Sequence, residues 1–349
     1  MEFIKPGINI DFIGKRKIAF TVSTMMILAT IFLLIWRGGP NYGVDFSGGV
    51  LVQVKLDQKR TPSEIRRALE PVQLEDSIIQ EFGEEGQFEY LIRVRKTDIK
   101  LAGLSEKVRQ ALSLEFGRDV ELRRVEMVGP KVGEGLKEKA LLAIFYAILF
   151  IAIYISGRFE LKWLMSMVMA LSLALVVSVA SGLGISVTWL ILIAMIVTLG
   201  LCWFLKLKYA LGAIIALIHD VFITVGAFAL TDKEFSLPII AAILTIVGYS
   251  LNDTIIVFDR IRENLRRFRR KPFEEVMNAS INETLSRTIL TSTTTLAVVL
   301  ALFILGGGVI HDFAFAILIG VIAGTYSSVF VASPVLLIWE GKFANKGKG

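Results

Sequence analysis

Cysteine and histidine are nearly absent from this chain. Of 349 residues one is cysteine, Cys202, and two are histidine, His219 and His311. A lone thiol cannot build an intramolecular disulfide framework or a multi-cysteine metal site. Two histidines leave little for a zinc centre. Charge is scarce as well: 20% of the residues are charged against 54% hydrophobic, and the mean hydropathy is +0.65. Soluble domains carry more charge than this, so the composition argues against an ordinary cytosolic enzyme and against a disordered chain. No nucleophile–base pair or metal-ligand set stands out, which disfavours an enzyme, and nothing calls for a cofactor. The net charge of +6 fits basic cytoplasmic loops of a membrane protein rather than nucleic-acid binding.

What the chain has in abundance is long apolar runs. Segments 18–36, 140–155, 163–180, 187–205, 209–230, 237–258, 288–305 and 313–339 approach or exceed the ~20 residues that cross a hydrocarbon core about 30 Å thick. The second is short and can start near Leu136. These runs predict a polytopic α-helical membrane protein of eight spans. The first is too long for the apolar part of a signal peptide and is followed by Trp36-Arg37-Gly38-Gly39-Pro40, not by a small-x-small cleavage site. It reads as a retained anchor.

Loop charges orient the spans. Lys15, Arg16 and Lys17 precede the first run. Arg158 and Lys162 follow the second, and Lys206 and Lys208 follow the fourth. A basic cluster from Arg260 to Lys271 follows the sixth; Lys342, Lys346 and Lys348 follow the last. The intervening segments 181–186, 231–236 and 306–312 hold one lysine between them. All the basic segments lie on one side when both termini are cytoplasmic.

Residues 37–135 then form an extracytoplasmic domain. Strands are predicted at 50–56, 77–82, 88–94 and 120–127, and helices at 62–69 and 101–115. Val50, Val52 and Val54 alternate with Leu51, Gln53 and Lys55 at the period of a strand. Thr61, Pro62 and Glu64 make a capping box with proline at the first helical position, and Asp98 can cap the second helix. The order βαββαβ suggests an α+β, ferredoxin-like fold. Such a sheet can bind a polypeptide or serve only as structure; the fold does not decide. The remaining divisions are 1–36, the second span at 136–163, an apolar hairpin at 164–209, a four-helix bundle at 210–340 with a basic loop at 259–287, and a tail at 341–349.

Ionisable residues inside the spans are candidates for function, because each is costly there. Asp253 lies in the sixth span within Gly248-Tyr249-Ser250-Leu251-Asn252-Asp253-Thr254. Tyr249 and Ser250, four and three residues earlier, share its helical face, whereas Asn252 lies about 100° round. Burial disfavours the charged carboxylate, which makes Asp253 a candidate proton or cation carrier; the alternative is a structural carboxylate that holds two helices together. Arg287 opens the seventh span, and Thr291, Thr294 and Thr295 continue one face into the bundle. Arg287 either faces Asp253 and favours its ionised form or snorkels to the interface. His219 and Asp220 fall mid-way in the fifth span. Neighbours on a helix diverge, so they make a poor chelate, and a proton relay or interhelical hydrogen bonds fit better. The cluster Asp259, Arg260, Arg262 and Glu263 reads as interfacial, with 273–284 a short amphipathic helix on the membrane surface.

Five motifs together resemble the SecD/SecF translocase family over nearly the whole chain. The first is Tyr42-Gly43-Val44-Asp45-Phe46-Ser47-Gly48-Gly49, in which Asp45, Gly48 and Gly49 carry the glycine signature. Ala216-Leu217-Ile218-His219-Asp220 follows, and then Val247-Gly248-Tyr249-Ser250-Leu251-Asn252-Asp253-Thr254. The last two are Val257-Phe258-Asp259-Arg260-Ile261-Arg262-Glu263-Asn264 and Ser286-Arg287-Thr288 through Thr291-Ser292-Thr293-Thr294. The resemblance implies the smaller subunit of an accessory complex of the Sec export channel, with the architecture of resistance-nodulation-division transporters. It implies SecD, the SecYEG channel and a YidC-type insertase as partners, an emerging polypeptide as cargo, and an inner-membrane location. Asp253 and Arg287 match the positions implicated in ion coupling, by protons or by sodium. SecD would supply the other half of a pseudo-symmetric bundle.

The family pattern has six spans and passes directly from Phe159-Glu160-Leu161-Lys162-Trp163 to Ala210-Leu211-Gly212. Here about 45 apolar residues intervene at 164–209, enough for two crossings. A hairpin restores the orientation of every later span. It has no ionisable residue between Trp163 and Leu205 and is expected to face lipid or a partner. Three functions follow for comparison: an ion-gradient-coupled export subunit, a non-conducting scaffold, and small-solute efflux. Efflux needs larger soluble domains than this chain carries.

Overall fold

The computed structural model describes residues 9–75, 77–82, 86–94, 103–117, 120–160, 163–183 and 185–344. Asp98, Leu161, Lys162, Lys346 and Lys348 lie outside the described residues.

The chain enters with α1 (Arg16–Arg37), closed by Gly38 in the left-handed conformation. A one-turn helix α2 (Val44–Ser47) leads into the domain. There follow β1 (Gly49–Lys55), α3 (Pro62–Ala68), β2 (Ile78–Phe82), β3 (Glu89–Val94), α4 (Leu104–Phe116) and β4 (Glu121–Val128). The sheet order is β2-β3-β1-β4, with every neighbouring pair antiparallel. Alternation along β1 sends Val50, Val52 and Val54 into a core with Ile65 of α3, Leu69 at its C-terminal cap, and Val108 and Leu112 of α4. The Thr61 hydroxyl accepts from the Glu64 amide and the Glu64 carboxylate accepts from the Thr61 amide, completing the capping box.

The bundle consists of α5 (Pro130–Glu160), α6 (Trp163–Gly182), α7 (Val187–Phe204), α8 (Lys208–Thr231), α9 (Leu237–Arg267), α10 (Phe273–Leu305) and α11 (Gly308–Ser327). A π-helical turn, Ser328–Ala332, joins α11 to α12 (Ser333–Ala344). Among the described residues six helices are long and apolar enough to cross a membrane: α1, α5, α8, α9, α10 and the continuous stretch Gly308–Gly341. Eight runs were expected. The two outside this set are α6 and α7, whose apolar stretches, Trp163–Val179 and Trp189–Phe204, are shorter. The expected surface helix at 273–284 is not separate. It is the opening part of α10, because no glycine or proline interrupts the chain between Phe273 and Leu305.

α8 is the axis of the bundle and packs against α1, α5, α9 and α11. The α6–α7 hairpin rests on α5 and α8, burying Met169, Leu173, Ala194 and Cys202. Trp203 meets Trp339 edge to face at 4.6 Å. Leu164, Leu171, Leu175 and Ile196 on its outer side are each more than 60% exposed. Tyr209 belongs to the bundle and not to the hairpin: it stacks on Phe159 at 5.2 Å and meets Phe258 at 5.3 Å.

Candidate functional site

Two carboxylates lie within the bundle, where an unpartnered charge is costly. Asp220, midway along α8, is fully buried, and Asp253 of α9 is 1% exposed. Asp220 Oδ2 accepts from Ser250 Oγ of α9 at 2.5 Å and from Ser327 Oγ of α11 at 2.8 Å. Its Oδ1 lies 2.9 Å from Nδ1 of His219. One carboxylate thus joins three helices. Gly324 permits the approach of α11, since a Cβ there would sit 2.8 Å from Ser250 Cβ. The divergence expected of residues 219 and 220 is overcome by rotation of the imidazole back toward its neighbour.

Asp253 has no such shell. Its Oδ2 is buried without a hydrogen-bond partner. The cation whose charge acts on it is Arg287 of α10, but no ion pair closes between the two, and Arg287 is exposed. Tyr249 is half-buried, and its hydroxyl donates to Thr295 Oγ1 at 3.2 Å, tying α9 to α10. Thr254 is buried and donates to the Ser250 carbonyl at 3.3 Å. Asn252 is exposed, as its position round the helix predicts.

The polar stripe of α10 divides: Thr295 meets Tyr249 of α9, whereas Thr291 and Thr294 bond within α10. Thr294 is exposed and Thr291 half-buried. Both hydroxyls donate to carbonyls of their own helix, Thr291 to Arg287 and Thr288 and Thr294 to Leu290 and Thr291. The buried polar residues of α10 are instead Thr288 and Ser292 of its membrane-spanning half, with Ser280 and Thr284 nearer its start. Ser292 Oγ lies 2.7 Å from Thr325 Oγ1 of α11. α10 packs against α9 and α11, with Thr295 on that side and Thr294 exposed. Arg287, Asn252, Thr294 and Thr245 are each exposed polar residues of α9 or α10.

A second cluster binds the sheet to this bundle. Asp45 Oδ2 accepts from the Leu237 amide at 2.9 Å, which caps the first turn of the helix carrying Asp253. The Gly43 amide donates to the Phe235 carbonyl and the Phe235 amide to the Asn41 carbonyl, both at 2.7 Å. Arg93 of β3, with a side chain 1% exposed, is ion-paired to Glu234 in the α8–α9 loop. The same guanidinium donates to Asn41 Oδ1 and the Tyr42 carbonyl. Gly48 (φ +71°) and Gly49 (φ +122°) turn the chain from α2 into β1. A Cβ at Gly48 would meet Pro130 Cα at 2.8 Å. Between the helix-free face of the sheet and the loops before α9 and α11 lies a cleft of 810 Å³, lined in part by Gln53, Arg124, Lys233 and His311.

Sequence reasoning missed Arg93, Glu234 and Ser327. Arg93 alternates with Tyr90, Ile92 and Val94, so it was legible as facing away from the domain core. That this face is buried against a loop 140 residues later was not. Ser327 and Ser328, with Thr325 and Ser333, interrupt an apolar run and are the visible signal.

The chain matches the family described as protein export membrane protein SecD/SecF, C-terminal, over residues 108–203 and 185–342, and the SecD/SecF GG motif over residues 34–59. It is 42% identical over 344 residues to the protein translocase subunit SecF of Magnetococcus marinus, covering 97% of this chain and 95% of that protein. It is 40% identical over 337 residues to the protein translocase subunit SecF of Vibrio alginolyticus, covering 96% and 91%. The crystal structure of SecDF, a translocon-associated membrane protein from Thermus thermophilus, superposes with a TM-score of 0.69 at 30% identity. That match covers 96% of this chain and 39% of the solved one, so this chain corresponds to less than half of the SecDF polypeptide. Identity this high over almost the full length of the relatives, together with the glycine motif and the buried carboxylate helix, establishes that the chain belongs to the SecD/SecF family of protein-export membrane proteins, as a SecF-type protein translocase subunit.

Proposed function

We propose that this subunit couples an ion gradient, carried by protons, to the late stage of polypeptide export across the cytoplasmic membrane, together with a SecD partner. The observation that carries the reading is Asp253: a buried carboxylate in a membrane-crossing helix, with Oδ2 unpartnered and the charge of Arg287 acting on it from α10. A carboxylate kept only for packing would have its oxygens hydrogen-bonded, and Asp253 Oδ2 is not. One that exchanges a proton needs an open acceptor and a cation near enough to favour the ionised form in turn.

The exposed polar residues Arg287, Asn252, Thr294 and Thr245 of α9 and α10 are where a second bundle is needed. A polar face cannot stay against hydrocarbon, and a SecD half completing the pair would close it. In this reading both termini are cytoplasmic, the βαββαβ domain is ferredoxin-like and extracytoplasmic, and α6 and α7 cross the membrane as an added hairpin, giving eight spans. The family match supports the insertion, since it breaks into two segments whose overlap, 185–203, spans most of α7. SecYEG and a YidC-type insertase are the neighbours to which such a unit would dock. Movement of α9 reaches the domain through Asp45, Phe235 and the Arg93–Glu234 pair.

The test is preprotein export into membrane vesicles carrying the partner subunit, with the gradient intact and collapsed, for the wild type and Asp253→Asn. Loss of the gradient's benefit in the variant, with expression and assembly unchanged, is the expected outcome. A variant that responds fully would leave Asp253 structural and favour a non-conducting scaffold.

A further inference from the structure

The network around Asp220 contains more than three hydrogen bonds to a carboxylate. His219 is 3% exposed. Its Nδ1 faces Asp220 Oδ1 at 2.9 Å, while its Nε2 is buried with no hydrogen-bond partner. The ring stacks on Tyr326, with centroids 5.9 Å apart. Tyr326 in turn donates to the Ala19 carbonyl at 2.9 Å and accepts from Ser23 Oγ at 3.2 Å, both on α1. An imidazole held on one nitrogen by a carboxylate, with the other open, is the arrangement through which histidine takes up and passes on a proton.

The charges set what this pair binds. α1 has no ionisable residue between Lys17 and Arg37, and the π-helical turn has none. α5 brings Tyr146 at mid-span, 45% exposed, with its charged residues at the two ends. α11 brings Tyr326. α9 brings Asp253, one helical turn beyond Ser250, and α10 brings Arg287, whose charge acts on Asp253. His219 is thus the residue that can place a cation against Asp220. With neutral imidazole the pair carries one negative charge; with one added proton, taken up at Nε2 and held on the imidazole or passed from Nδ1 to the carboxylate, it carries none. Because Ser250 and Ser327 already donate to Oδ2, the proton-accepting positions are Oδ1 and the imidazole.

The bundle offers this pair a way to act on helix packing. Ser327, a donor to Asp220, immediately precedes the π-helical turn at Ser328–Ala332, where Ser333 Oγ donates to the Ser328 carbonyl at 2.9 Å. π-turns inside α-helices collect at functional positions. Ser250, the other donor, is on the same face of α9 as Asp253.

We propose that His219 and Asp220 form a second proton-binding station, loaded through the open Nε2 of His219 and linked to Asp253 by Ser250. Gain or loss of its proton changes the grip of one carboxylate on α8, α9 and α11 together. The proposal rests on the proton-coupled reading above but is measured apart from export.

The experiment is infrared difference spectroscopy of the full chain in lipid vesicles, labelled with carbon-13 at the aspartate carboxyl groups, titrated across about pH 5 to 8. The samples are wild type, Asp253→Asn, Asp220→Asn, His219→Gln and His219→Gly with added imidazole. The wild type should show two separable protonated-carboxyl bands, one lost in Asp253→Asn and the other in Asp220→Asn. His219→Gln should move the Asp220 midpoint by at least about tenfold in proton concentration, and imidazole should restore it in His219→Gly. A structural role for His219 would not give imidazole rescue. The proposal is overturned if no band disappears in Asp220→Asn, or if the band survives all His219 variants unmoved. Should Asp220→Asn fail to fold, the His219 series decides alone, because each variant keeps the carboxylate and its two serine donors. Loss of gradient-driven export in Asp253→Asn alongside a silent Asp220 would leave the first reading standing and remove this one.

Discussion

Replacing Glu234 by glutamine isolates the clamp between the sheet and the bundle. The substitution keeps the shape of the side chain and removes the carboxylate paired with Arg93, whose guanidinium is 1% exposed. Asn41 Oδ1 at 3.3 Å and the Tyr42 carbonyl at 3.2 Å remain as acceptors. Removing one partner of a fully buried ion pair costs about 3–5 kcal/mol. Here Glu234 retains 17% side-chain exposure, and those neutral acceptors persist, so the expected cost is about 2–3 kcal/mol. It should fall on local opening, because Gly43, Phe235 and Leu237 donate the amides that join the two parts. Their hydrogen exchange, measured in lipid nanodiscs, should accelerate by about 30- to 160-fold at ~1.36 kcal/mol per decade. Amides of α3, beyond the clamp, should exchange as before. Adding Arg93→Met removes the orphaned charge and should recover about 1–2 kcal/mol. Unchanged protection in Glu234→Gln, or a double variant no better protected than the single one, would refute the assignment of this pair as the clamp.

Gly48→Ala places a side chain at φ +71° and ψ 169°, a region open to glycine alone, and drives a Cβ to 2.8 Å from Pro130 Cα. A loss above ~2 kcal/mol is expected, read as a fall in Tm that exceeds that of Gly86→Ala, where φ is also positive but nothing lies within 4 Å. Hydrogen bonds from the Thr61 amide and hydroxyl hold the exposed Glu64 carboxyl below the ordinary glutamate range. A depressed folded value means that the cap's contribution is present above the ordinary value and is lost as pH falls through the folded one. The NMR titration midpoint of Glu64 should rise in Thr61→Ala and rise further in Thr61→Pro, which removes the amide; an unmoved midpoint counts against the box. Excising residues 163–207 should leave the later helices oriented as before, since a hairpin returns the chain to the same side. Inverted labelling of cysteines placed after the junction would contradict this. Extending the excision through Tyr209 should lower Tm further by removing its contacts with Phe159 and Phe258.

The sequence by itself determined the class of this protein, because the signals for it are local. Apolar runs, basic loops and the capping box at Thr61 each act within a turn or a span, and the structure carries helices over all eight runs, six of them long enough to cross. The strand and helix order of the domain was readable for the same reason: period-two alternation in β1 and the turn chemistry around it need no distant partner. The glycine motif and the Asn252-Asp253 run were legible as markers of a family, though not of what each residue touches.

Tertiary structure alone decided the pairings. Asp220 and Asp253 look alike in sequence, as acidic residues in apolar helices. Three helices converge to satisfy one of them, and the Oδ2 of the other is left without a partner. The splitting of the α10 stripe, with Thr295 meeting Tyr249 and Thr294 left exposed, followed from which neighbours pack beside that helix, a property of the bundle and not of the stripe. Arg93 and Glu234 are separated by 141 positions in the chain, and no local rule joins them. Hydrophobic patterning states that a residue will be buried; which polar group meets it there depends on how the helices and sheet are assembled, since an interior hydrogen bond needs both partners within about 3 Å.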